Sequence, residues 1–161
     1  MFRDMRRTKQ LLSEEKSVEV LNKATSGVLA VSGDDNYPYA VPLSYVYNNN
    51  KIYFHCAKKG HKIDAITNNS KVSFCVVDKD EVVPEEYTTY FRSVIVFGKA
   101  KIIEDVDEKR FALEILSKKY SPDHNEGSLK EIEKFFNQVC VLELTIEHIS
   151  GKEAIELIKQ L

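Results

Sequence analysis

Residues 39–56 of the sequence, YAVPLSYVYNNNKIYFHC, contain two strand-like runs on either side of an asparagine turn. Aromatic and β-branched residues are frequent in both runs, 39–47 and 51–56, as is typical of β-strands. Three consecutive asparagines at 48–50 are good turn formers and separate the two runs. Because strands joined by short turns pair antiparallel, this stretch predicts an antiparallel meander. It sets the class of fold.

Further strand-like runs lie on both sides of this hairpin. Residues 27–32 precede it, and residues 72–77, 87–103 and 139–148 follow it. Gly98 lies inside the longest run, where we expect a bulge or a sharp bend. In the last run, strict alternation predicts that one face carries Cys140, Leu142, Leu144, Ile146 and His148.

Five helices are predicted from capping signals and apolar spacing. The signals, in chain order, are Ser13 with Glu14 and Glu15, the pair Ile63 and Ile66, Asp105 with Glu108 for a helix ending near Tyr120, Leu129 with Ile132 and Phe136, and Ser150 with Glu153. The last pair predicts that the final strand ends before Ser150 and that an amphipathic helix begins there.

Six strands with peripheral helices predict a mainly β fold, namely a six-stranded antiparallel barrel that is closed or nearly closed. No linker-like stretch divides the sequence, so residues 1–161 are expected to form one domain. Residues 1–10 are expected to form an arm that is flexible or contacts a partner. Tyr45, Tyr47 and Tyr53 are expected to face outward, and their burial favours a homodimer.

Composition excludes several classes of function. The net charge of −2 gives no global reason to expect nucleic acid as a partner. No apolar run approaches the roughly 20 residues that a membrane span needs, and the N-terminal residues MFRDMRR lack the apolar core of a signal peptide. Three cysteines, an odd number, fit reduced thiols. We therefore expect a cytoplasmic protein with neither a membrane nor a nucleic-acid partner.

A metal site is the weakest interpretation of the histidines and cysteines. His55, Cys56, His61 and Cys75 could supply nitrogen and sulfur ligands to zinc. However, adjacent residues of a strand leave on opposite faces, which separates His55 from Cys56. The sequence also contains no Cys-x-x-Cys or His-x-x-x-His spacing. We expect no metal.

The run Lys58-Lys59-Gly60-His61-Lys62 follows a strand and precedes a helix. Free N–H groups at a helix start, together with lysines, favour binding of a phosphate group. The alternative is an ordinary solvated turn.

Pro42 adds a second signal, because a proline inside a strand requires an edge position or one that faces a ligand. A planar heterocycle with amide-like edges, such as a flavin, could pair with that edge, and flavin mononucleotide (FMN) carries a single phosphate.

Three segments then resemble a known family. Residues 36–77, NYPYAVPLSYVYNNNKIYFHCAKKGHKIDAITNNSKVSFCVV, residues 91–105, FRSVIVFGKAKIIED, and residues 147–154, EHISGKEA, are similar to the nitroimidazole-resistance (Nim) group. That group belongs to the pyridoxamine 5'-phosphate oxidase-like FMN-binding split β-barrel proteins. The likeness runs from Met5 to Ala154.

The resemblance implies a six-stranded antiparallel FMN-binding split barrel that forms a homodimer, with two FMN molecules in the interface. It also implies that Ser150-Gly151-Lys152 is a closing segment. The positions that it matches to flavin contacts are Val41, Pro42, Leu43, Ser44 and Tyr45 along the isoalloxazine edge, His55, Cys56 and Ala57 beside the ribityl chain and the phosphate, Lys58, His61 and Lys62 holding the phosphate, and Arg92 and Ser93 on a later strand.

The implied activity is that of an FMN-dependent oxidoreductase, which reduces a small oxidised acceptor such as a nitroaromatic. His55 is the candidate catalytic residue, either orienting the acceptor or supplying a proton, and the alternative is a structural hydrogen bond beside the phosphate. No G-x-G-x-x-G loop is present, so electrons would come from a transiently bound nicotinamide donor or a partner protein. The alternatives are a non-catalytic flavin- or haem-binding module and a pyridoxamine-phosphate-oxidase-like activity. The ending IELIKQL lacks the arginine and histidine that the latter uses.

Overall fold

Seven strands form one antiparallel sheet in the computed structural model, which describes residues 1–159. The strands are β1 (Gly27–Ser32), β2 (Pro38–Leu43), β3 (Val46–Asn48), β4 (Lys51–Ala57), β5 (Lys71–Val83), β6 (Thr88–Ile102) and β7 (Val139–Glu153). The helices are α1 (Glu14–Lys23), α2 (His61–Asn68), α3 (Val106–Tyr120), α4 (Asn125–Phe135) and α5 (Ile155–Lys159). Single 3-10 turns occupy Thr8–Gln10, Asp34–Asn36 and Pro84–Glu86.

The strand order in the sheet is β2-β1-β5-β6-β7-β4-β3. Within residues 1–159 the edge strands β2 and β3 do not pair with each other, so the sheet is not closed. The predicted mainly β, antiparallel fold with peripheral helices is confirmed, whereas the predicted number of six strands is wrong and the barrel, expected to be closed or nearly closed, is not closed. The expected strand 39–47 divides at Ser44 and Tyr45, because the Tyr45 backbone bonds to side chains of α3 instead of a neighbouring strand. This break produces the seventh strand.

The sheet buries apolar side chains on both faces. One face packs against α1 and α2 through the fully buried side chains of Leu21, Phe54 and Phe74. The other face is covered by α3 and α4, which pack on Tyr53 and Val141. Burial of this apolar surface supplies most of the stability of the fold.

The side chains of β4 and of three nearby tyrosines show which strand faces are buried. Ile52 and Phe54 lie inward on β4, as alternation along the strand predicts. Tyr53 lies on the opposite face, as expected, but the helices α3 and α4 cover it. The expectation that Tyr45 and Tyr47 face outward is wrong, because Tyr45 is buried in the core and Tyr47 is half-buried against it. These tyrosines therefore provide no reason for dimerisation.

The final strand, β7, is longer than predicted, and one of its residues, His148, lies on the opposite face from the predicted one. A bulge at Glu147 lies opposite the step from Phe97 to Gly98, so Ile146 pairs with Gly98 while His148 pairs with Phe97. The extra residue turns His148 away from the face of Cys140 and Ile146, where alternation had placed it. The sequence predicted a bulge or bend at Gly98 of β6. The register shift lies directly beside Gly98, which confirms that position, and the extra residue belongs to β7.

β7 then continues to Glu153, past the predicted helix start. Ser150 pairs with Ile95 and Glu153 pairs with Arg92, so both are strand residues and the predicted cap at this position is wrong. The short α5 begins at Ile155 instead. Ladder bonds to β6 compete successfully here with the local capping pattern.

The starts of α1 and α3 follow the capping signals. The Ser13 side chain accepts a hydrogen bond from the N–H of Lys16, and the Asp105 side chain accepts one from the N–H of Glu108. α3 ends at Tyr120, as expected. No helix within residues 1–159 combines the length and the apolar character needed to cross a membrane.

The N-terminal segment contacts its own chain. The Phe2 ring stacks on Phe97 and on His148, with ring centroids 5.4 Å and 4.9 Å apart. The N–H of Leu12 donates to the carbonyl of Gly151 over 2.9 Å. The segment before α1 is thus fastened to the outer side of β6 and β7.

Gly98 provides a test of the bulge. A Cβ atom at this position would collide with the backbone carbonyl of Thr145 on β7, which has no room to move within the ladder. We expect Gly98→Ala to lower the free energy of unfolding, measured by urea denaturation, by about 2–3 kcal/mol. Gly127→Ala is the control: nothing lies within 4 Å of its added Cβ in α4, and we expect a gain of about 0.5–1 kcal/mol. Equal effects would mean that the bulge does not require glycine.

Candidate flavin site

The lysine-rich turn has the strand–turn–helix form that the sequence predicts. β4 ends at Ala57 and α2 begins at His61. Gly60 precedes the helix with φ of 147°, a left-handed conformation that glycine adopts at little cost. The N–H groups of the first helical turn have no partner within the helix, so they can bind an anion.

The turn's three candidate phosphate ligands point in different directions. Lys58 lines a cavity with Lys109 of α3. His61 lies on the other side, with its ring stacked on Tyr39 at 4.1 Å between centroids and its Nε2 atom 3.8 Å from the carboxylate of Asp34. The structure therefore does not bring Lys58 and His61 together.

Lys62 lies beside Cys56, near the end of β4. The pKa of the Cys56 thiol is raised to about 11: burial is the main cause, the neighbouring Cys140 adds to the rise, and the charge of Lys62 opposes it. Cys56 and Cys140 face each other directly across β4 and β7. Cys56 is thus held as a neutral thiol, and half-buried Lys62 is the cation of the turn whose charge acts on it.

His55 lies on the opposite face of β4 from its neighbours Phe54 and Cys56. Its exposed side chain borders a cavity of about 300 Å³ between α3, α4 and the strands β4 and β7. Apolar side chains of the two helices and of Val139 line this cavity, and Ser44 borders it beside His55. The cavity therefore extends from Ser44, just after the end of β2, to His55, the candidate catalytic residue.

Sequence reasoning did not find the part of this cavity that α3 and α4 form. Leu113, Leu116 and Ile132 have the spacing of core residues in amphipathic helices, and most of their surface is indeed buried. Nothing in that spacing distinguishes a residue that lines a cavity from one that packs against a strand. Only the three-dimensional arrangement places these side chains next to His55.

The edge of β2 is the part of the predicted isoalloxazine contact that stays open. Among the described residues β2 pairs only with β1, so Pro42 occupies an edge strand, which confirms one of the two positions that its missing N–H allows. Pro42 and Ser44 are exposed, whereas Val41 and Leu43 turn partly buried side chains toward the core. The available backbone and side-chain groups at this edge are those around Pro42 and Ser44.

Tyr45 is already fully engaged within the chain. Its N–H donates to the Tyr120 hydroxyl over 2.8 Å, and its carbonyl accepts bonds from Tyr120 at 2.8 Å and from Lys119 at 3.0 Å. Its own hydroxyl donates to the carbonyl of Leu21 over 2.7 Å. Tyr45 therefore anchors the end of β2 to α3 and α1.

The Lys119 ammonium group lies in an unusual environment. It donates to the carbonyls of Ala24 and Tyr45 over 2.6 Å and 3.0 Å, and it lies 3.9 Å from the centroid of the Tyr45 ring. No carboxylate lies within 4.0 Å of it in the described part of the chain. Burial lowers the pKa of Lys119 to about 8.

Arg92 and Ser93 lie at the far end of the sheet from His55. His55 pairs with Val141 of β7, whereas Arg92 pairs with Glu153, twelve residues further along the same strand. The Arg92 guanidinium donates to the carboxylates of Asp78 and Glu153 over 3.0 Å and 2.9 Å, and these interactions raise its pKa. One protomer therefore does not bring Arg92 near the end of β4.

No group of three histidine, cysteine, aspartate or glutamate side chains within residues 1–159 has an arrangement that could hold a metal ion. His55 and Cys56 leave β4 on opposite faces, and Cys75 lies on β5.

The sequence of this chain matches the family model described as pyridoxamine 5'-phosphate oxidase over residues 13–153. The chain belongs to this family, whose fold binds flavin. No curated protein matches the sequence.

Several solved structures share the fold. One is a proposed 5-nitroimidazole antibiotic resistance protein of Bacteroides thetaiotaomicron VPI-5482, with 23% identity, a TM-score of 0.73, and coverage of 89% of this chain and 86% of that chain. A second is an FAD-binding protein of Mesorhizobium loti, with 26% identity, a TM-score of 0.66, and coverage of 90% and 97%. A third is an FAD- and haem-binding protein of Mycobacterium smegmatis, with 22% identity, a TM-score of 0.75, and coverage of 94% and 80%.

The lowered pKa of Lys119 predicts a pH effect on stability. Between about pH 8 and 10.5 the unfolded chain binds more protons at this residue than the folded chain, so rising pH stabilises the fold through Lys119. We expect the wild type to gain stability relative to Lys119→Met across this window, measured by urea unfolding at several pH values. Exposed Lys118 is the control, and Lys118→Met should show a constant difference from the wild type. A constant difference for Lys119→Met as well would contradict the prediction.

Proposed function

We propose that this protein is an FMN-dependent oxidoreductase of the nitroimidazole-resistance type, acting on a small oxidised acceptor such as a nitroaromatic. The observation that carries the proposal is the position of His55. It lies where β4 leads into the phosphate-binding turn, and its side chain opens into the cavity under α3 and α4. A cofactor site and an acceptor site can therefore meet at one titratable side chain.

The residues present fit a flavin mononucleotide. Unpaired N–H groups at the start of α2 and the ammonium group of Lys62 suit a phosphate, and no acidic residue interrupts 58–63. The outer edge of β2 at Pro42 and Ser44 has no neighbouring strand, which suits the amide-like edge of the isoalloxazine ring. We propose that Val41, Leu43, Ala57 and Cys56 shape the surface between these two ends through backbone and packing contacts.

When bound, FMN supplies reversible two-electron chemistry. Reduction of a nitro group to a nitroso group consumes two electrons and two protons and releases water. A nicotinamide donor provides the electron pair together with one proton as a hydride, and solvent provides the second proton. The exposed imidazole of His55 is positioned to hand that proton to an oxygen of the acceptor, or to orient the oxygen by a hydrogen bond.

We also propose a homodimer. Arg92 and Ser93 can approach a flavin at the end of β4 only if a second copy supplies them, because their β7 partners, Glu153 and Lys152, lie twelve and eleven residues from Val141, the partner of His55. Exposed apolar side chains support such an interface, since Val28 and Ile95 lie in one row across β1, β5 and β6, and Val77 and Phe97 lie in adjacent rows on the same face.

We place the protein in the cytoplasm, where its three free cysteines would stay reduced.

The competing proposal is a module that binds flavin or haem without catalysis. The FAD- and haem-binding protein of M. smegmatis shares this fold, which makes haem a specific alternative. A visible absorption spectrum of the purified protein distinguishes the two cofactors, because haem and oxidised flavin absorb at different wavelengths.

Turnover tests the enzyme proposal. We expect FMN-loaded protein to reduce a nitroaromatic with a nicotinamide donor faster than free FMN does. His55→Gln should lower kcat at least 100-fold with the flavin still bound, as expected for loss of a proton donor. The control is His124→Gln, an exposed position outside the cavity, which should retain full activity. Turnover no faster than free FMN would remove the enzyme proposal, and full activity of His55→Gln would leave His55 with a structural role.

Lys62 tests the phosphate site. A charge-assisted hydrogen bond contributes about 1.5–3 kcal/mol, so Lys62→Ala should weaken FMN binding roughly 10- to 100-fold, measured by flavin fluorescence titration. Exposed Lys59 is the matched control, and Lys59→Ala should have almost no effect. Riboflavin, which lacks the phosphate, should bind the wild type and the Lys62 variant about equally. Equal loss of FMN and riboflavin affinity would show that Lys62 supports the fold, and no loss of either would make the turn an ordinary solvated one.

A further inference from the structure

We infer that the cavity between α3, α4 and β4 is the acceptor site and that it selects uncharged or cationic single-ring aromatic acceptors over anionic ones. The inference rests on the proposed function for the identity of its ligand as an electron acceptor. The cavity itself, its size and its charge are properties of this chain alone.

The size of the cavity limits the ligand. About 300 Å³ is at the lower end of the range for small-molecule sites, so the cavity fits one ring with short substituents rather than a second flavin or a dinucleotide. Its floor is apolar, formed by Leu113, Leu116, Ile132, Phe135 and Val139. An apolar floor favours the faces of an aromatic ring and disfavours a strongly hydrated ion.

The helices hold this floor rigidly. Leu113, Leu116 and Ile132 are buried and pack in one cluster with Tyr53 of β4. Tyr120, at the end of α3, is fixed by its hydrogen bonds to the Tyr45 backbone and to the Thr25 carbonyl. The apolar floor of the cavity is therefore held by packed helices, while Ser44 and Ser121 on its border lie outside helices and strands.

The polar border of the cavity carries an asymmetric charge. Glu131 lines the cavity, and neither a lysine nor an arginine does. Within the described residues, Glu131 has no ion-pair partner within 4.0 Å, so its negative charge is not neutralised locally. Because Glu131 is exposed, solvent weakens the repulsion, and we expect it to reduce the affinity of an anionic ligand about three- to tenfold.

His55 and Ser44 supply the complementary contacts. Both border the cavity on the side of the sheet, where a ligand's oxygen atoms can accept hydrogen bonds from an imidazole N–H or a hydroxyl. A neutral ring that carries a nitro group or a carbonyl oxygen fits all three features. Its faces pack on the apolar floor, it is not repelled by the carboxylate of Glu131, and its oxygen accepts hydrogen bonds from His55 or Ser44. An aromatic carboxylate satisfies the donors but is repelled by Glu131.

Three ligands with the same ring test the charge selectivity: 4-nitrobenzyl alcohol, 4-nitrobenzylamine and 4-nitrobenzoate. Their dissociation constants are measured by NMR titration on the oxidised, FMN-loaded protein without a reductant. We expect the alcohol and the ammonium form of the amine to bind at least threefold more tightly than the benzoate. Glu131→Gln should remove this preference, whereas Glu126→Gln, the same change at the start of α4 outside the cavity, should keep it. Equal affinity for all three ligands in the wild type would overturn the charge selectivity.

A filled cavity tests the location. Leu113→Phe should weaken all three ligands at least tenfold and leave FMN affinity unchanged, with a thermal melt to confirm that the variant folds. Ser117→Leu, at the border of the cavity, provides a second variant that does not enlarge a core residue and should weaken them in the same direction. Equal loss of FMN affinity would assign the cavity to the flavin and overturn the inference.

These results separate the inference from the proposed function. Selective binding without any turnover would uphold the cavity as a binding site and remove the reductase activity. Turnover with a KM for 4-nitrobenzyl alcohol that Leu113→Phe and Ser117→Leu leave unchanged would uphold the reductase and overturn the acceptor site.

Discussion

The hydrogen bonds that hold the Tyr45 peptide determine how the rest of the structure is arranged. The N–H and C=O groups of Tyr45 leave the sheet and bond to Tyr120 and Lys119 at the end of α3, while the Tyr45 ring fills the core against Phe74. A buried backbone group without a partner costs roughly 1–3 kcal/mol, so the chain can break its ladder here only because α3 supplies replacements. Without α3 in this position, the backbone groups of Tyr45 would need partners on a neighbouring strand, and residues 39–47 would be expected to form one continuous strand.

This arrangement links the two halves of the candidate site. Ser44, at the end of β2, precedes the held peptide, and α3 forms one wall of the cavity beside His55. The position of the proposed flavin edge and the position of the cavity wall therefore depend on the same contacts. A change at Tyr120 or Lys119 would move both together, whereas a change at Lys62 would act on the proposed phosphate end alone.

The sequence predicted features whose causes are local. The capping side chains of Ser13 and Asp105 and the turn from β4 into α2 depend on residues within a few positions of one another. The edge position of Pro42 is a property of the whole sheet, but the missing N–H of proline is a local signal for it. The break at Tyr45 could not be predicted in this way, because its partner Tyr120 is 75 residues away in the chain. The extension of β7 past Ser150 likewise depends on pairing with β6, which overrode a local signal for a helix.

The ion pairs of Arg92 explain why a site residue can also be structural. Asp78 and Glu153 have side chains only 6% and 7% exposed, so both carboxylates need the guanidinium to compensate for their lost hydration. Arg92 uses its Nε atom and one terminal nitrogen for these bonds, which leaves its second terminal nitrogen available. In the homodimer that we propose, that nitrogen could donate to a flavin bound by the partner while the other two keep β5, β6 and β7 together. A fixed arginine of this kind would lose little conformational entropy when the cofactor binds, since its side chain is already ordered.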